Sequence, residues 1–338
     1  MSIMEGKKVV LGLSGGVDSS ACAYLLKDMG YEVHGLFLAY GTSDASPAIR
    51  AAKELDIDLE VRDITRELEE KVISPFIKSY LAGETPNPCV ICNPLVKFRA
   101  LAEEAFRLGA QNVATGHYAI ARGGKLYRSE SPKDQSYMLY RLPKDIIDMC
   151  VFPLGEIKDK SATRAVAERA GLSSSRTPDS MEICFVPEGS HSEFIEKRGG
   201  VGKSGNFVDV NGNIFGPHEG IHRYTVGQRR GLGIAACGRL YVKSIDAHTG
   251  DVVLDYDDPK EKTIYIRDIC FTDPEYSEID SFECMVRVRH SKRFEKAICR
   301  PSEGRIDFEV PARAPSPGQS AVCYGMDGQV LCGGVIRK

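Results

Sequence analysis

The stretch Lys8-Val-Val-Leu-Gly-Leu-Ser-Gly-Gly-Val-Asp-Ser19 decides the fold, because an apolar run ends there in two glycines and a helix-like run follows. The apolar part predicts a buried strand, and residues 19–29 predict a helix. Glycines at such a turn let the backbone approach an anion, and the helix start presents unpaired N–H groups with a partial positive charge. The segment therefore predicts a loop that binds the phosphates of a nucleotide.

This loop differs from both common classes of phosphate-binding loop. It lacks the lysine of the Gly-x-x-x-x-Gly-Lys Walker pattern, and no third glycine completes a dinucleotide-binding fingerprint. It resembles the pyrophosphatase loop of enzymes that cleave ATP between its α and β phosphates and activate an acceptor oxygen as its adenylate. The alternative is an ordinary glycine turn between a strand and a helix. The framing residues Ser14, Asp18 and Ser19 favour the ATP loop.

Size and composition indicate a globular protein. The chain has 338 residues, 42% hydrophobic and 27% charged, which suits two or three domains. The start of the chain lacks a signal-peptide core and no apolar run has membrane-spanning length, so we expect a cytoplasmic protein with no membrane partner. Eleven cysteines are then expected as thiols. A net charge of −3 argues against a broadly basic coat for nucleic acid.

The order of predicted elements divides the chain. Strands and amphipathic helices alternate up to about residue 190, which is typical of a parallel, doubly wound α/β sheet with its ligands at the carboxyl ends of the strands. After residue 205 short alternating runs separated by turns predict antiparallel strands and a small barrel. The predicted strands include 8–13, 32–38, 58–63, 112–119, 240–245, 252–256, 263–266 and 284–289, and the predicted helices are 19–29, 47–55, 66–82, 94–108 and 158–170.

Two cysteines form a Cys-x-x-Cys pair in Thr85-Pro-Asn-Pro-Cys-Val-Ile-Cys-Asn93, just before a predicted helix. A helix start lowers thiol pKa values and favours thiolates. Such a pair is compatible with a redox couple, half of a zinc site or part of an iron–sulfur site. Cys184 is the candidate for a third ligand, and three cysteines could hold three irons of a four-iron cluster. The alternative is that these are unrelated buried thiols.

The remaining cysteines carry no such spacing. Cys22 falls in a predicted helix, and Cys299 and Cys323 fall in predicted strands. Because cysteine behaves as a small apolar residue when buried, we interpret them as packing residues.

Basic residues are concentrated in the C-terminal half. Two segments, 287–300 and 221–238, are rich in cations and contain a single acid, Glu295, and they indicate phosphate-binding patches. The alternative is ordinary solvated charge on strands. The cations are Arg287, Arg289, Lys292, Arg293, Lys296 and Arg300 in the first segment and Arg223, Arg229 and Arg230 in the second.

Nine short motifs resemble, in order and nearly end to end, the tRNA-specific 2-thiouridylases, which replace the 2-oxygen of the wobble uridine with sulfur. This resemblance implies an ATP-pyrophosphatase catalytic domain at 1–190, a central tRNA-binding domain at 191–255 and a C-terminal β-barrel at 256–338. The motifs are Ser14-Gly-Gly-Val-Asp-Ser19, Thr85-Pro-Asn-Pro88, Cys92-Asn93, Ala114-Thr-Gly-His-Tyr118, Lys133-Asp-Gln-Ser-Tyr137, Asp179-Ser180, Ile183-Cys-Phe185, Gly227-Gln-Arg-Arg-Gly-Leu-Gly233 and Pro317-Gly-Gln-Ser-Ala321.

The resemblance also implies residue roles. Cys92 matches the family's nucleophile, and Cys184 matches its second catalytic cysteine, a persulfide carrier or half of a transient disulfide. ATP would be bound by Gly12, Leu13, Ser14, Gly15, Gly16, Val17, Asp18 and Ser19, with Leu38 near the adenine and Gly116 shaping its pocket. The target base would face Asn87, Pro88 and Cys89, and tRNA would contact Lys133, Asp134, Gln135, His117, Arg289, His290 and Gln319. His117 is equally compatible with a satisfied histidine at a strand end.

The chain departs from the family's pattern at two places. Many members have Asp where this chain has Cys89, and the third thiol favours a four-iron cluster held by Cys89, Cys92 and Cys184 over a persulfide relay. Residues 39–51 are shorter than the usual loop after the second strand, which puts contacts that depend on that loop in doubt.

The expected activity is ATP-dependent 2-thiolation of uridine 34, with AMP and pyrophosphate as products. The expected cofactors are ATP, Mg²⁺ and the cluster, and the expected partners are the tRNA anticodon stem-loop and a sulfur donor, either a protein persulfide or inorganic sulfide. Two rivals remain. One is another adenylating ligase or amidotransferase with the same loop, which would need no paired cysteines. The other is a non-catalytic RNA-binding protein, which the presence of both Cys92 and Cys184 disfavours.

Overall fold

The computed structural model describes residues 6–178, 183–186, 190–235, 237–291 and 293–337. Asp179 and Ser180 of the sixth motif, and Lys292 of the basic segment, lie outside these residues. The chain forms two compact units, the first from Met1–Val72, Cys89–Met181 and Asp327–Leu331, and the second from Ile73–Pro88, Glu182–Met326 and Cys332–Lys338. In the described residues no helix has the length and apolarity needed to cross a bilayer. The division into three domains stays a prediction.

The elements alternate first and then become strand-rich. To residue 197 they are β1 (Lys8–Gly12), α1 (Val17–Asp28), β2 (Glu32–Ala39), α2 (Ser46–Leu55), β3 (Asp58–Asp63), α3 (Thr65–Leu68), α4 (Ser74–Leu81), α5 (Pro88–Cys92), α6 (Phe98–Leu108), β4 (Asn112–Ala114), β5 (Ala119–Arg122), β6 (Lys125–Arg128), α7 (Lys144–Met149), β7 (Cys150–Val151), α8 (Lys160–Arg169) and α9 (His191–Lys197). The later ones are β8 (Gly205–Val208), β9 (Ile214–His218), β10 (Tyr241–Ile245), β11 (Val252–Asp255), β12 (Lys260–Phe271), β13 (Phe282–Arg287), β14 (Glu295–Arg300), β15 (Arg305–Arg313), β16 (Ser320–Tyr324) and β17 (Val330–Ile336).

The first unit is built on a five-stranded parallel sheet in the order β3-β2-β1-β4-β7, which confirms the predicted α/β class. Its middle strand, β1, buries Val9, Val10 and Leu11 completely, as expected for a strand covered on both faces. After the strand ends, the Leu13 N–H donates to the Leu36 carbonyl of β2 at 3.0 Å. The sheet thus presents the glycine loop at the carboxyl end of its central strand.

Two predicted helices have different bounds in the structure. The helix predicted at 66–82 is interrupted by a π-helical turn at Glu69–Ile73. The helix predicted at 94–108 begins earlier, with α5, and a second π-helical turn at Asn93–Lys97 joins α5 to α6. Buried Asn93 holds this turn, because its Nδ2 donates to the Met138 carbonyl at 2.9 Å. The Cys-x-x-Cys pair therefore lies inside the helical run and not before it.

The predicted strand at 112–119 is also shorter than expected. It ends at Ala114, and a separate antiparallel hairpin of β5 and β6 begins at Ala119. Residues 115–118 between them are the part of the fourth motif that lies at the carboxyl end of the sheet.

The second unit contains a four-stranded sheet in the order β10-β11-β8-β9. Antiparallel pairing was expected throughout this region, but β8 and β11 pair in parallel. Its core is formed by apolar side chains such as Ile221, Val242, Val252 and Leu254.

The closed antiparallel barrel predicted for the C-terminus is present, in the order β12-β15-β14-β13-β16-β17. Its long strand β12 closes the cylinder, because its first half pairs with β15 and its second half with β17. The register shifts between Arg267 and Cys270, where Asp268 adopts a left-handed conformation with φ 52°. Such a bulge bends a strand and lets one strand serve both edges of a barrel.

Phe98 and Phe106 offer a test of the core of the first unit, since both lie on α6. Phe98 is fully buried and Phe106 is 90% exposed. We expect Phe98→Ala to lower the free energy of unfolding by about 3–5 kcal/mol through lost burial and a cavity. Phe106→Ala should change it by less than about 0.5 kcal/mol. Denaturant unfolding followed by circular dichroism measures both, and equal effects would contradict this assignment of the core.

Candidate functional site

The glycine loop packs tightly against α2. Gly15 has φ +79°, a left-handed conformation that favours glycine, and a Cβ there would overlap the backbone of Pro47 and Ala48. Gly16 follows as the N-cap of α1 and has no side chain to cap the helix. The first N–H groups of α1 are therefore not covered by a capping side chain, as an anion-binding helix start requires.

The two loop serines lock the turn. The Ser14 N–H donates to Ser19 Oγ at 3.2 Å, and the two hydroxyl oxygens lie 3.0 Å apart. The Ser19 hydroxyl donates to the Gly16 carbonyl at 3.1 Å. These bonds fix the loop before any ligand arrives, which lowers the entropy lost on binding.

Asp18 connects the loop to two distant segments. Its carboxylate accepts from the Lys160 ammonium at 2.6 Å and from the Tyr118 hydroxyl at 2.9 Å. The Tyr118 hydroxyl also lies 2.7 Å from Thr163 Oγ1. Lys160 is the first residue of α8, whose N-cap Asp159 accepts from the Ala162 N–H. The lysine that the loop motif lacks is thus supplied from another helix.

Sequence reasoning missed Lys160 altogether. Its separation from Asp18 follows no motif spacing, and the only available signal was its place in the first turn of the helix predicted at 158–170. Tyr118 was quoted as part of a motif but was given no role. Both side chains contact the Asp18 carboxylate, so an ammonium group and a hydroxyl lie beside the predicted phosphate loop.

Gly116 and Leu38 lie at the same edge of the sheet as the loop. A Cβ at Gly116 would come within 2.9 Å of the Asp18 carbonyl carbon and 3.0 Å of the Ser19 nitrogen, so only glycine lets segment 115–118 approach α1 this closely. Leu38 is half-buried near the carboxyl end of β2, where it pairs with Arg62 of β3. The structure brings Gly116 to the loop and places Leu38 on the neighbouring strand.

His117 points into the core. Its Nδ1 lies 2.6 Å from Thr115 Oγ1, and its ring stacks on Phe98 with 6.0 Å between centroids. Burial, and secondarily the charge of Lys97, holds the pKa of His117 well below its usual range. The imidazole is therefore neutral near pH 7, and its geometry matches the satisfied histidine that the sequence left as an alternative.

Residues 133–135 divide into one exposed and two bracing side chains. Asp134 is buried and accepts from the Ser129 N–H at 2.8 Å and from the Ser136 hydroxyl at 3.0 Å. The Gln135 side chain accepts from the Tyr118 N–H at 3.1 Å. Lys133 is exposed. Asp134 and Gln135 therefore position the segment of Tyr118, and Lys133 presents its side chain to solvent.

Cys89 and Cys92 lie in the first unit, three positions apart on α5, and both are half-buried. This spacing puts the two thiols on one face of the helix. Paired, partly accessible thiols near the start of a helical run are soft donors of the kind that hold iron–sulfur clusters or react as thiolates. The donor set fits either interpretation of the sequence.

Cys184 lies in the second unit and is exposed. The next residue, Phe185, is buried and packs on Phe76 and Phe194, with ring centroids 5.4 and 5.6 Å apart. A buried aromatic anchor thus holds an exposed thiol at the surface.

The segment of Asn87 and Pro88 is fixed within the second unit. The Thr85 N–H donates to the Pro317 carbonyl at 2.8 Å, and Gln319 Nε2 donates to the Thr85 carbonyl at 2.6 Å. Gln319, predicted to contact tRNA, therefore braces the segment predicted to face the target base. Asn87 is half-buried and Pro88 is buried.

Folding neutralises part of the predicted basic patches. Arg223 pairs with Glu196 at 2.8 Å and Glu219 at 2.9 Å, and Lys296 lies 3.6 Å from Glu283. The two segments themselves contain a single acid, Glu295, and neighbouring strands and helices supply the other acids. Arg300 likewise pairs with Asp307, and Arg287 is buried, donating to the Ser291 carbonyl with its guanidinium over the Phe294 ring. The predicted phosphate-binding side chains that are exposed in these two segments are Arg229, Arg230, Arg289, His290, Arg293 and Lys296.

Three family models match consecutive parts of the chain. Residues 7–188 match a tRNA methyl transferase HUP domain, residues 192–255 a tRNA methyl transferase PRC-barrel domain, and residues 261–336 an aminomethyltransferase β-barrel domain. Relatives named tRNA-specific 2-thiouridylase match nearly end to end. The chain belongs to the tRNA-specific 2-thiouridylase family.

The relatives have similar lengths. The protein of Caldanaerobacter subterraneus is 38% identical over 99% of this chain and 98% of its own. One from Clostridium botulinum is 40% identical over 99% of each chain, and one from Fusobacterium nucleatum is 35% identical over 98% of this chain and 93% of its own. Among solved structures, the NMN synthetase of Francisella tularensis is 18% identical, with a TM-score of 0.34 over 51% of this chain and 66% of its own.

The position of Lys160 generates a test of the nucleotide site. We expect Lys160→Met to raise the KM for ATP about tenfold or more, because the variant loses the cation beside the loop. Lys158→Met, which removes an exposed lysine two residues earlier, is the matched control and should leave KM unchanged. Pyrophosphate release at varied ATP concentration measures the effect. An unchanged KM in Lys160→Met would remove this lysine from the site.

Proposed function

We propose that this protein is an ATP-dependent tRNA uridine 2-sulfurtransferase that converts uridine 34 to 2-thiouridine, releasing AMP and pyrophosphate. The observation that carries this proposal is the near full-length relation to proteins named tRNA-specific 2-thiouridylase. The geometry of the glycine loop and the placement of the thiols support it. We also propose the division into domains at 1–190, 191–255 and 256–338.

ATP binding is assigned to the turn after β1. The N–H groups at the start of α1 would hold its phosphates, and the Lys160 ammonium, 2.6 Å from Asp18, would share their charge. Leu38 would contact the adenine, and Gly116 would keep space open beside the loop. Mg²⁺ would neutralise the departing pyrophosphate.

The reaction needs activation because the uridine 2-carbonyl has no leaving group. The O2 oxygen attacks the α phosphate of ATP, the α–β bond breaks, and pyrophosphate leaves with the electron pair. The base then carries AMP on O2. A sulfur nucleophile adds at C2 and AMP departs from that carbon with the C–O electron pair, which leaves the C2–S bond. Fixed N–H donors stabilise the charge that develops on the phosphates.

Two forms of the sulfur step remain open. In the first, a persulfide on Cys184 attacks C2, and the Cys92 thiolate then attacks the Cys184 sulfur. That attack releases the thiolated base and leaves a disulfide, which an external thiol must reduce. In the second, Cys89, Cys92 and Cys184 would hold a four-iron cluster, which would supply sulfide taken from an inorganic donor. The half-buried pair on α5 and the exposed thiol on its phenylalanine anchor suit both forms.

The tRNA contacts are proposed from the exposed basic side chains. Arg289, His290 and Arg293 lie in and after the turn that follows β13, and Arg229 and Arg230 lie in the glycine-rich loop 227–233. Exposed cations of this kind bind phosphates without reading sequence. A single-stranded anticodon loop lowers the energy needed to present the base. The contribution of His117, Asp134 and Gln319 to tRNA binding would be indirect. Each would position its own segment of the chain, and these segments would contact the tRNA.

The activity is tested by mass spectrometry of tRNA nucleosides. A strain that lacks the gene should lose wobble 2-thiouridine and regain it with the parent gene. Cys92→Ser and Cys184→Ser should restore less than about a hundredth of it, because the nucleophile is lost. The matched controls are half-buried Cys270→Ser and exposed Cys237→Ser, which should restore it fully. Unchanged 2-thiouridine in the deletion strain would overturn the proposal and leave an adenylating ligase or an RNA-binding protein.

The cluster is tested by anaerobic purification with an absorption spectrum and an iron count. We expect the reconstituted parent to bind four irons with a thiolate-to-iron absorption, and Cys89→Ser to lose most of both, since one of three ligands is gone. Cys270→Ser should keep them. A colourless, iron-free parent that is fully active with a persulfide donor would exclude the cluster and leave the persulfide form.

A further inference from the structure

Four cysteines outside the proposed sulfur chemistry meet inside the barrel. Cys284 of β13, Cys299 of β14, Cys323 of β16 and Cys332 of β17 are each completely buried. We call them the sulfur layer. Burial alternates along β13 and β14, which directs Cys284 and Cys299 into the barrel. Four of the six strands thus each contribute one thiol to the same interior.

Three of the four sulfur atoms are close enough to share one ligand. Those of Cys299, Cys323 and Cys332 all lie within 4.8 Å of one another. Cys284 lies on β13, the strand between β14 and β16, and its thiol donates to the Ala297 carbonyl at 3.7 Å. A tetrahedral zinc site with metal–sulfur bonds of about 2.3 Å has its sulfur atoms about 3.8 Å apart. Three of the sulfur atoms are near that spacing, and Cys284 would exchange its hydrogen bond to Ala297 for the ion.

Packing alone does not account for this arrangement. A single buried cysteine is a small apolar residue, and Cys22 and Cys150 of the first unit are of that kind, since burial raises the pKa of each thiol. Within the described residues, neither belongs to a group of close sulfur atoms. In the barrel three thiols from three strands lie within 4.8 Å of one another, a fourth buried thiol lies on the strand between two of them, and none of the four is in a disulfide. The earlier interpretation of Cys299 and Cys323 as packing residues explains their burial but not their convergence.

We propose that the sulfur layer binds one structural Zn²⁺ ion. Four thiol ligands in a closed, tetrahedral arrangement with no open position are the donor set of structural zinc, and soft sulfur ligands exclude Mg²⁺ and Ca²⁺. Binding converts four thiols to thiolates and releases four protons, with no change of oxidation state. Because the site is fully enclosed, the ion enters while the barrel folds. The free energy of zinc binding then adds to the stability of the folded barrel.

The experiment uses full-length protein with Cys89, Cys92 and Cys184 all changed to Ser, so that the other thiol group does not contribute metal. The protein is produced in zinc-supplemented medium, dialysed against EDTA and analysed for metal by elemental mass spectrometry. We expect one zinc per chain, retained in the native protein and released on unfolding in guanidinium. Refolding with Co²⁺ should give the absorption of a tetrahedral cobalt–thiolate centre.

Variants in the same background locate the ion. Cys323→Ala should reduce bound zinc at least tenfold and abolish the cobalt absorption, whereas Cys150→Ala, which changes a buried thiol of the first unit, should keep both. Cys299→Ala serves as the second variant if Cys323→Ala does not fold. A folded, metal-free background protein whose unfolding midpoint is unchanged by Zn²⁺ would overturn the proposal. Disulfides among the four cysteines, or an iron–sulfur absorption, would overturn the assignment to zinc.

Discussion

The packing of the turn after β1 is the constraint on which the rest of the first unit depends. Gly15 touches the backbone at the start of α2, and the Asp18 carboxylate joins α1 to Lys160 of α8 and to Tyr118. These contacts come from segments that are far apart in the chain. They hold the open helix start of α1 at the carboxyl end of the central strand. A nucleotide site at this place is consequently a property of four segments and not of the loop alone.

Hydrophobic patterning predicted the sheet well, because β1 and β2 are rich in apolar residues and β3 alternates them with charged ones. It failed at the π-helical turns, since one extra residue per turn shifts the period without leaving a gap in the pattern. It also missed the parallel pairing of β8 with β11, which is set by how the strands pack and not by their composition. Hydrophobic patterning also could not predict the contact between Lys160 and Asp18, because no local signal indicates a partner 142 residues away.

Counting charges along the sequence identified basic segments, but it did not predict which of their side chains form ion pairs. The segments around Arg223 and Lys296 are basic in sequence, yet both side chains meet glutamates from other elements. Cross-strand neighbours lie about 5 Å apart however distant they are in the chain, so a cation's partner is decided by register. The same holds for His117, whose burial followed from the short β4 and the packing of Phe98. The side chains able to bind phosphate could be listed from the sequence, but whether each one is exposed or buried could not be predicted.

The π-helical turn at Asn93–Lys97 has a consequence for the thiols that precede it. Each residue of an α-helix advances the side chain by about 100° around the axis. The additional residue of a π turn therefore sets the rotational phase of Cys89 and Cys92 relative to the buried face of α6, where Phe98 and Leu101 lie. The direction in which Cys89 and Cys92 face is thus determined by the π-helical turn that follows them, which the Asn93 side chain holds in place. A Cys-x-x-Cys motif followed by an uninterrupted α-helix would aim its sulfur atoms at a different side of the helix.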